Sequence, residues 1–252
     1  MKILVCLKQT FDTEAKIVLD GDGRIDNKGV TMIMNPYDEF AVEEALQISE
    51  KSGGEVTVIT TGGAKAQDAL RQALAMGADK AVLVETDAVM DEYSTAVVLA
   101  KVLGDMEYDV ILGGFRAIDD GSAQVMGRVA EVLNVPVVNV ITKLEIEDGK
   151  AVATREIEGG SEVVEVPLPA VFTAQKGLNE PRYPSMKGIM KAKKKPMDKK
   201  TVSDLGVDVT PKAQAISFSL PEARQAGQVV PGEPAEAARE LARLLREQAR
   251  VI

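Results

Sequence analysis

Four groups of small and polar residues border strand-like or helix-like segments, and together they could bind a nucleotide. The groups are CLKQ at 6–9, NPYD at 35–38, TTGG at 60–63 and GFRAIDDGSAQV at 114–125. Small residues let backbone amides approach a phosphate, and a helix starting near Gln124 would add free N–H groups and a positive dipole end. Neither GxGxxG nor a Walker A sequence is present, so each residue alone is more typical of a cap, strand end or turn. Their joint placement favours a nucleotide site.

The composition excludes several kinds of catalysis. The 252 residues include no histidine and no tryptophan, and Cys6 is the single cysteine. A Ser-His-Asp triad, a histidine proton shuttle and the usual zinc sites are therefore not available, and we predict no metal site. If the chain takes part in redox chemistry, a bound cofactor must carry the electrons.

The chain has the features of a protein of a reducing compartment. A strand is predicted from the first residue, which leaves no room for a signal peptide. No run approaches the roughly 18 apolar residues of a membrane span, and one cysteine forms no internal disulfide. We expect a cytoplasmic protein without membrane insertion.

Short apolar segments alternate with segments of helical spacing. The strand-like segments are 3–8, 55–61, 81–85, 109–114 and 135–140, and the helical ones are 36–51, 64–76, 91–103 and 124–133. Repeated strand–helix units predict an α/β fold with a doubly wound, mostly parallel sheet, Rossmann-type and adenine nucleotide α-hydrolase-like. In such sheets ligands bind beyond the carboxyl ends of the strands, where the four groups lie.

Three further segments extend this core. A DGDG turn at 20–23 predicts a small hairpin. Between 141 and 173, short alternating runs broken by Asp148-Gly149 and Gly159-Gly160 predict added antiparallel strands. An amphipathic helix is predicted over 234–249. We therefore expect an α/β nucleotide-binding domain over 1–200 and a C-terminal arm over 201–252.

The segment LNEPRYPSMKGIMKAKKK, 178–195, is suited to a partner. Pro181 and Pro184 exclude a central strand or a helix interior, so the segment should lie on the surface. The formal net charge is -9, yet 176–200 contains nine Lys or Arg against two acidic residues. A sequence pI of about 4.8 and few aromatics near these lysines disfavour nucleic-acid binding. A lysine run that only keeps an edge soluble is the alternative.

These motifs resemble the electron transfer flavoprotein β subunit family over nearly the whole chain. The similar segments are VCLKQTFDTEAKI, MNPYDEFAVEEAL, ALAMGAD, RAIDDGSAQ, TREIEGGSEVVEVPLPAVFTA and the NEPRY loop. The resemblance implies a heterodimer whose α subunit holds most of a FAD, while the β subunit buries an AMP without a redox role. By motif, the AMP contacts would be Cys6, Asn35, Pro36, Tyr37, Asp38, Thr61, Gly114, Asp119, Asp120, Gly121, Ser122, Ala123, Gln124 and Val125. Tyr37 and Thr13 would lie near the partner's flavin.

One triplet departs from the AMP-binding pattern. Typical members have Asn-Gln-Thr where this chain has Ala123-Gln124-Val125. The Ala-Gln-Val version resembles members whose β subunit binds a second FAD and bifurcates electrons with NADH. The NPYDEFAVEEA helix start and the NEPRY loop resemble the AMP-binding type, so AMP is favoured and a second FAD stays open.

The resemblance also assigns a recognition loop, 175–195. Its docking residues would be Leu178, Asn179, Glu180, Pro181, Arg182, Tyr183, Met186 and Lys191. Met186 stands where the family has an apolar side chain, usually Leu, that enters a pocket on the donor dehydrogenase, and a flexible thioether suits several partners. The lysines of 191–195 would steer acidic donor surfaces. Glu156 would pair with an arginine of the α subunit.

The function that follows is a noncatalytic electron-carrier subunit of fatty acid oxidation. It would dock acyl-CoA or related dehydrogenases and support transfer through FAD to a quinone-reducing oxidoreductase. A bifurcating subunit with NADH is one alternative. A universal-stress-type adenine nucleotide-binding signalling protein is another, although such proteins lack the NEPRY segment and the terminal arm.

Overall fold

The computed structural model describes residues 1–223 and 226–252. The chain forms two compact units, one of Met1–Ile17 with Asp26–Ile216 and one of Val18–Ile25 with Ser217–Ile252. The first unit thus extends beyond residue 200. The packing of the C-terminal arm on an α subunit stays a prediction.

The strands and helices are numbered in chain order. The strands are β1 (Lys2–Cys6), β2 (Gln9–Phe11), β3 (Val18–Leu19), β4 (Ile25–Asp26), β5 (Met32–Met34), β6 (Glu55–Gly62), β7 (Lys80–Glu85), β8 (Val110–Gly114), β9 (Val137–Glu147), β10 (Lys150–Ile157), β11 (Gly160–Pro167), β12 (Ala170–Ala174) and β13 (Met197–Thr201). The helices are α1 (Pro36–Ser52), α2 (Gln67–Met76), α3 (Glu92–Gly104), α4 (Val125–Leu133), α5 (Met186–Ala192), α6 (Val202–Leu205) and α7 (Pro234–Leu244).

The first unit is built on a nine-stranded sheet in the order β11-β10-β9-β12-β8-β1-β6-β7-β13. Neighbouring strands from β9 to β13 in this order are parallel, whereas β10 is antiparallel to β9 and to β11. The predicted fold class, a mostly parallel doubly wound sheet with added antiparallel strands, is confirmed.

Alternation along β1 shows how both faces of the sheet are covered. Ile3 and Val5 pack into the cluster that contains residues of α1 and α2, while Leu4 and Cys6 pack into the cluster that contains residues of α3 and α4. Strands buried on both faces need apolar residues at every position, which explains the continuous run in β1.

The sheet changes winding direction beside β1. The chain proceeds from β1 to its neighbour β6 and on to β7, and then returns to β8 on the other side of β1. The connections that follow β1 and β8 therefore diverge and leave a crevice at the carboxyl edge between Cys6 and Gly114.

Several elements differ from the sequence predictions. The lysine-rich strand β13 pairs with β7 at the sheet edge and was not predicted, because edge strands accept charged residues that mask the apolar signal. Inside the predicted loop 175–195, Ser185 caps the short helix α5 by accepting a hydrogen bond from the Gly188 N–H at 3.0 Å. The terminal helix continues from α7 as a π-helical turn, Leu245–Ala249.

The hairpin predicted at 20–23 is present and joins β3 to β4. A separate pairing joins β2 to β5 in antiparallel register. Within 1–223 and 226–252, no helix is both long enough and apolar enough to cross a membrane.

Candidate functional site

A cavity of about 510 Å³ opens in the crevice at the carboxyl edge of the sheet. Its size lies within the roughly 300–1,000 Å³ that is usual for small-molecule and cofactor sites. The predicted site residues that line it are Cys6, Asn35, Asp38, Thr61, Gly114, Asp120, Ser122, Ala123, Gln124 and Val125. Five others, Thr13, Pro36, Tyr37, Asp119 and Gly121, are not part of the lining.

Asp38, in the first turn of α1, connects the two strands beside the crevice. Its Oδ2 accepts a hydrogen bond from the Lys8 N–H at 2.7 Å, and its Oδ1 accepts one from the Gly114 N–H at 2.8 Å. Burial raises the pKa of Asp38 to about 7, and these two N–H groups act in the opposite direction. Gly114 must be glycine because a Cβ there would collide with the Asp38 carboxylate and the Tyr37 side chain.

Asn35 shapes the loop that follows β8. Its Nδ2 donates to the Arg116 carbonyl at 3.0 Å, and its Oδ1 accepts from the Ile118 N–H at 3.2 Å. The side chain is buried and does not cap α1. Asn35 therefore both lines the cavity and holds the loop after β8 in place through these two hydrogen bonds.

Lys8 fixes the same loop from the side of β1. Its Nζ lies 2.8 Å from an Asp119 oxygen and 2.7 Å from an Asp120 oxygen. Burial lowers the pKa of Lys8, but the hydrogen bonds to Asp119 and Asp120 outweigh it and the net shift is upward. Lys8 lines the cavity and was not among the predicted site residues, although it stands in the CLKQ group.

Tyr37 packs beside the cavity in an aromatic and cationic stack. Its ring meets the Phe115 ring edge to face with centroids 4.5 Å apart, and the Arg116 guanidinium lies 5.6 Å from the Tyr37 centroid. Phe115 and Arg116 contribute to the lining, whereas Tyr37 supports them.

Cys6 at the end of β1 and Thr61 near the end of β6 differ in what they offer a ligand. Burial, and secondarily the Asp38 charge, raises the pKa of the Cys6 thiol to about 12, so Cys6 stays protonated and unreactive. Thr61 Oγ1 is buried without a hydrogen-bond partner among the described residues. An unsatisfied hydroxyl in a cavity wall fits a site for a polar ligand.

The start of α4 presents backbone groups to the cavity. Ala123, Gln124 and Val125 all line it, and Ala123 has the left-handed φ of 54°. The first N–H groups of a helix have no intrahelical acceptor and suit a phosphate. The Gln124 side chain accepts from Arg128 at 2.7 Å.

A further part of the cavity lining was missed by the sequence predictions. It consists of Thr86, Asp87, Ala88, Met90, Asp91, Glu92, Thr95 and Leu99. These residues follow β7 and begin α3, so the rule that ligands bind beyond parallel strands would have found them. The cavity lining contains donors, namely the Thr61 hydroxyl and the Arg116 guanidinium, and also the carboxyl groups of Asp38, Asp87, Asp91, Glu92 and Asp120. The ammonium group of Lys8 is already paired with Asp119 and Asp120.

The segment 178–195 divides into residues that contact α1 and residues that face solvent. Arg182 pairs with Glu43 and Glu50, and Asn179 donates to the Phe40 carbonyl at 3.0 Å and to Glu44 at 2.8 Å. Leu178 packs against the core, and Pro181 is partly buried. The exposed predicted docking residues are Glu180, Tyr183, Met186 and Lys191, with Tyr183 95% and Met186 77% exposed. Glu156 is exposed on β10.

The sequence was compared with protein-family models and with known proteins. A family model described as the electron transfer flavoprotein domain matches residues 22–205. The electron transfer flavoprotein subunit beta of Bacillus subtilis (strain 168) is 50% identical over 258 aligned residues, covering 100% of both chains. The protein of the same name from Syntrophomonas wolfei is 50% identical over 252 residues, covering 100% of this chain and 98% of the relative.

A third relative has a different name. The caffeyl-CoA reductase-Etf complex subunit CarD of Acetobacterium woodii is 39% identical over 243 residues, covering 92% of each chain. The family model spans most of the chain and two relatives align with all of it. This chain therefore belongs to the electron transfer flavoprotein β subunit family.

Proposed function

We propose that this chain is the redox-inactive subunit of a cytoplasmic heterodimeric electron transfer flavoprotein and binds AMP in the cavity beside β1. The observation that carries the AMP assignment is the buried Thr61 hydroxyl without a partner among the described residues, in a cavity that the first residues of α4 also line. The chain would scaffold an α subunit that holds FAD, and the bound FAD would supply the electron-carrying chemistry.

The side chains of this subunit are suited to binding rather than to redox chemistry. The sequence contains no histidine, and the pKa of its one thiol is raised to about 12. Arg116 offers positive charge, and the first N–H groups of α4 offer donors to an anionic group, whereas Lys8 is paired with Asp119 and Asp120 and fixes the loop. Thr61 would supply one neutral polar contact. Asp38 and Asn35 would keep these groups in place through their backbone hydrogen bonds.

The docking part of the proposal rests on the exposed residues of 178–195. Tyr183 and Met186 present apolar area to solvent next to exposed lysines. Burying a methionine contributes roughly 1.5–3 kcal/mol, which anchors a transient complex without making it permanent. Donor proteins of the proposed kind are acyl-CoA or related dehydrogenases with acidic surfaces, and the acceptor is a quinone-reducing oxidoreductase. One relative is by name part of a caffeyl-CoA reductase complex, which supports a CoA-ester oxidoreductase as the partner class.

A second candidate is a bifurcating subunit that binds a second FAD and uses NADH. The triplet Ala123-Gln124-Val125, which lines the cavity, favours it. Membership of the flavoprotein family rules against the universal-stress-type alternative.

Reconstitution tests the proposal. The chain is purified with its α subunit, and flavin absorbance is followed after addition of a purified acyl-CoA dehydrogenase and its acyl-CoA. The proposal expects the heterodimer to be bleached and the isolated β chain to be colourless. Bleaching by NADH alone would instead support the bifurcating subunit.

A further inference from the structure

The docking helix α5 is packed against the C-terminal end of α2. Gly188, in the first turns of α5, lies so close to the Ala75 carbonyl that an added Cβ would collide with it. Only glycine permits this approach of the two backbones. The exposed faces of Met186 and Met190 are consequently fixed relative to α2.

The Lys195 side chain caps the C-terminal end of α2. Its Nζ donates to the carbonyls of Leu74 and Gly77 at 3.0 Å each and to that of Ala78 at 2.6 Å. An ammonium group has three donors, so all of them are used on these backbone acceptors. The last carbonyls of a helix lack intrahelical partners and form the negative end of its dipole, which is where a cation is most favourable.

Arg71 joins the same two helices from the side of α2. Its Nη1 donates to the Ala192 carbonyl, the last residue of α5, at 2.7 Å. On the other side of α5, Arg182 is tied to Glu43 and Glu50 of α1. The segment is thus held before and after the helix, while the helix itself is only seven residues long and too short to be stable alone.

We propose that Lys195, with Arg71, is a positioning residue that keeps α5 folded on α2 as a prepared docking surface for the electron donor. This inference rests on the proposed docking function. Within the lysine run, Lys191, Lys193 and Lys194 are exposed and remain available for steering, whereas Lys195 is engaged inside the chain. Ordering α5 in advance removes an entropy cost from docking and therefore acts on the lifetime of the complex.

Two variants that each remove one positive charge test this assignment. In the heterodimer, Lys195→Met removes the three carbonyl contacts, and Lys194→Met is the matched control on an exposed lysine. We expect Lys195→Met to speed hydrogen–deuterium exchange of the 186–192 amides about tenfold and Lys194→Met to leave it unchanged. Lys195→Arg keeps a donor cation and should restore most of the protection.

Kinetics give a second readout on the same variants. With a purified acyl-CoA dehydrogenase, Lys195→Met should raise the KM for the flavoprotein about fivefold without changing kcat. The increase should persist at about 1 M salt, where the Debye length is about 3 Å and steering is screened. The effect of Lys194→Met should disappear there. If Lys195→Met matches Lys194→Met in both exchange and salt dependence, Lys195 is only a steering charge and the inference is wrong.

Arg71→Met provides an independent variant if Lys195→Met fails to assemble with the α subunit. It should speed exchange of the same amides and raise the same KM, and normal protection in Arg71→Met would also overturn the inference. Failure of the proposed docking function would give a different result. Met186→Ala would then leave the KM for the flavoprotein unchanged, while Lys195→Met would still speed hydrogen–deuterium exchange of the 186–192 amides.

Discussion

Arg182 and Glu43 form a two-point ion pair, with Nε 2.8 Å from Oε2 and Nη2 2.9 Å from Oε1. The Glu43 side chain is only 4% exposed, whereas that of Arg182 is 34% exposed. Burial raises the pKa of Glu43, but its hydrogen bonds, chiefly to Arg182, outweigh this and the net shift is downward. The pair joins α1, whose first turn carries Asp38 at the cavity, to the segment that carries Tyr183 and Met186.

Replacing Arg182 should therefore destabilise the fold more than removal of a surface ion pair does. Arg182→Met leaves Glu43 buried without its partner, and because Arg182 is partly exposed we expect a loss of about 2 kcal/mol in unfolding free energy. Arg155→Met is the control, since its pair with Glu162 is exposed on both sides and should contribute at most about 1 kcal/mol. Urea denaturation at pH 7 measures both, and equal losses would contradict a special role for Arg182.

The pH dependence of this difference has a defined sign. A carboxylate whose pKa is lowered on folding contributes stability above its ordinary pKa, 4.5 for Glu43, and loses it as pH falls. The gap between wild type and Arg182→Met should be full at pH 7 and should shrink below about pH 4.5. If the difference in unfolding free energy between wild type and Arg182→Met grows as the pH falls, it does not come from the ionised Glu43–Arg182 pair.

Thr61 and Thr10 provide a test variant and a matched control for ligand binding in the cavity. Both hydroxyls are buried without a partner in the part of the chain that the structure describes, but only Thr61 lines the cavity. Valine is nearly isosteric and removes the unsatisfied group, so each variant should melt at or slightly above the wild-type temperature without nucleotide. Thr61→Val should weaken AMP binding about tenfold in calorimetry, while Thr10→Val should not. Equal affinities would exclude Thr61 as a contact.

Asp38 should make stability fall as pH rises. Its pKa is raised from 3.8 to about 7, mainly by burial, so between these values the folded protein binds more protons than the unfolded one. Its contribution is full below about pH 4 and is lost as pH approaches 7, by at most about 4 kcal/mol. The charges and titratable groups around it are Lys8, which favours the carboxylate, and the Cys6 thiol.

Asp38→Asn checks this directly. Unfolding free energies are measured in urea at pH 5 and pH 7.5 for wild type and variant. Glu39 and Glu44, whose pKa values are also raised chiefly by burial, are present in both proteins and cancel in the comparison. The variant should be about 1–3 kcal/mol less stable than wild type at pH 5, because one backbone N–H donor then faces the NH2 group of the asparagine. This deficit should shrink at pH 7.5, since the wild type declines more steeply with pH than the variant does. If the unfolding free energies of wild type and variant fall by the same amount between pH 5 and pH 7.5, Asp38 is not the source of the pH dependence.

Met186 should matter for docking and not for folding. Its side chain is 77% exposed, so Met186→Ala should leave the melting temperature and flavin content unchanged. Loss of about 1–2 kcal/mol of burial in the complex should raise the KM for the flavoprotein roughly 5- to 30-fold with an acyl-CoA dehydrogenase. Val89→Ala, at a site 85% exposed on the loop after β7, is the control. If neither variant changes the KM for the flavoprotein, Met186 is not part of the docking surface.

Local sequence patterns predicted the parallel core because its strands are buried on both faces and stay apolar throughout. They missed β13, in which the adjacent charged residues Asp198, Lys199 and Lys200 hide the apolar signal of an edge strand. They also missed the helix α5, which depends on Gly188 and Lys195 at α2. They also gave no sign that Asn35 binds the loop after β8 or that Arg182 turns toward α1, since those contacts join residues far apart in the chain.

Nucleotide release tests the central claim most directly. The chain is co-purified with its α subunit, the heterodimer is denatured, and the released nucleotides are quantified by chromatography. A redox-inactive subunit that binds AMP predicts one FAD and one AMP per heterodimer. Two FAD and no AMP, or a heterodimer without flavin, would contradict it.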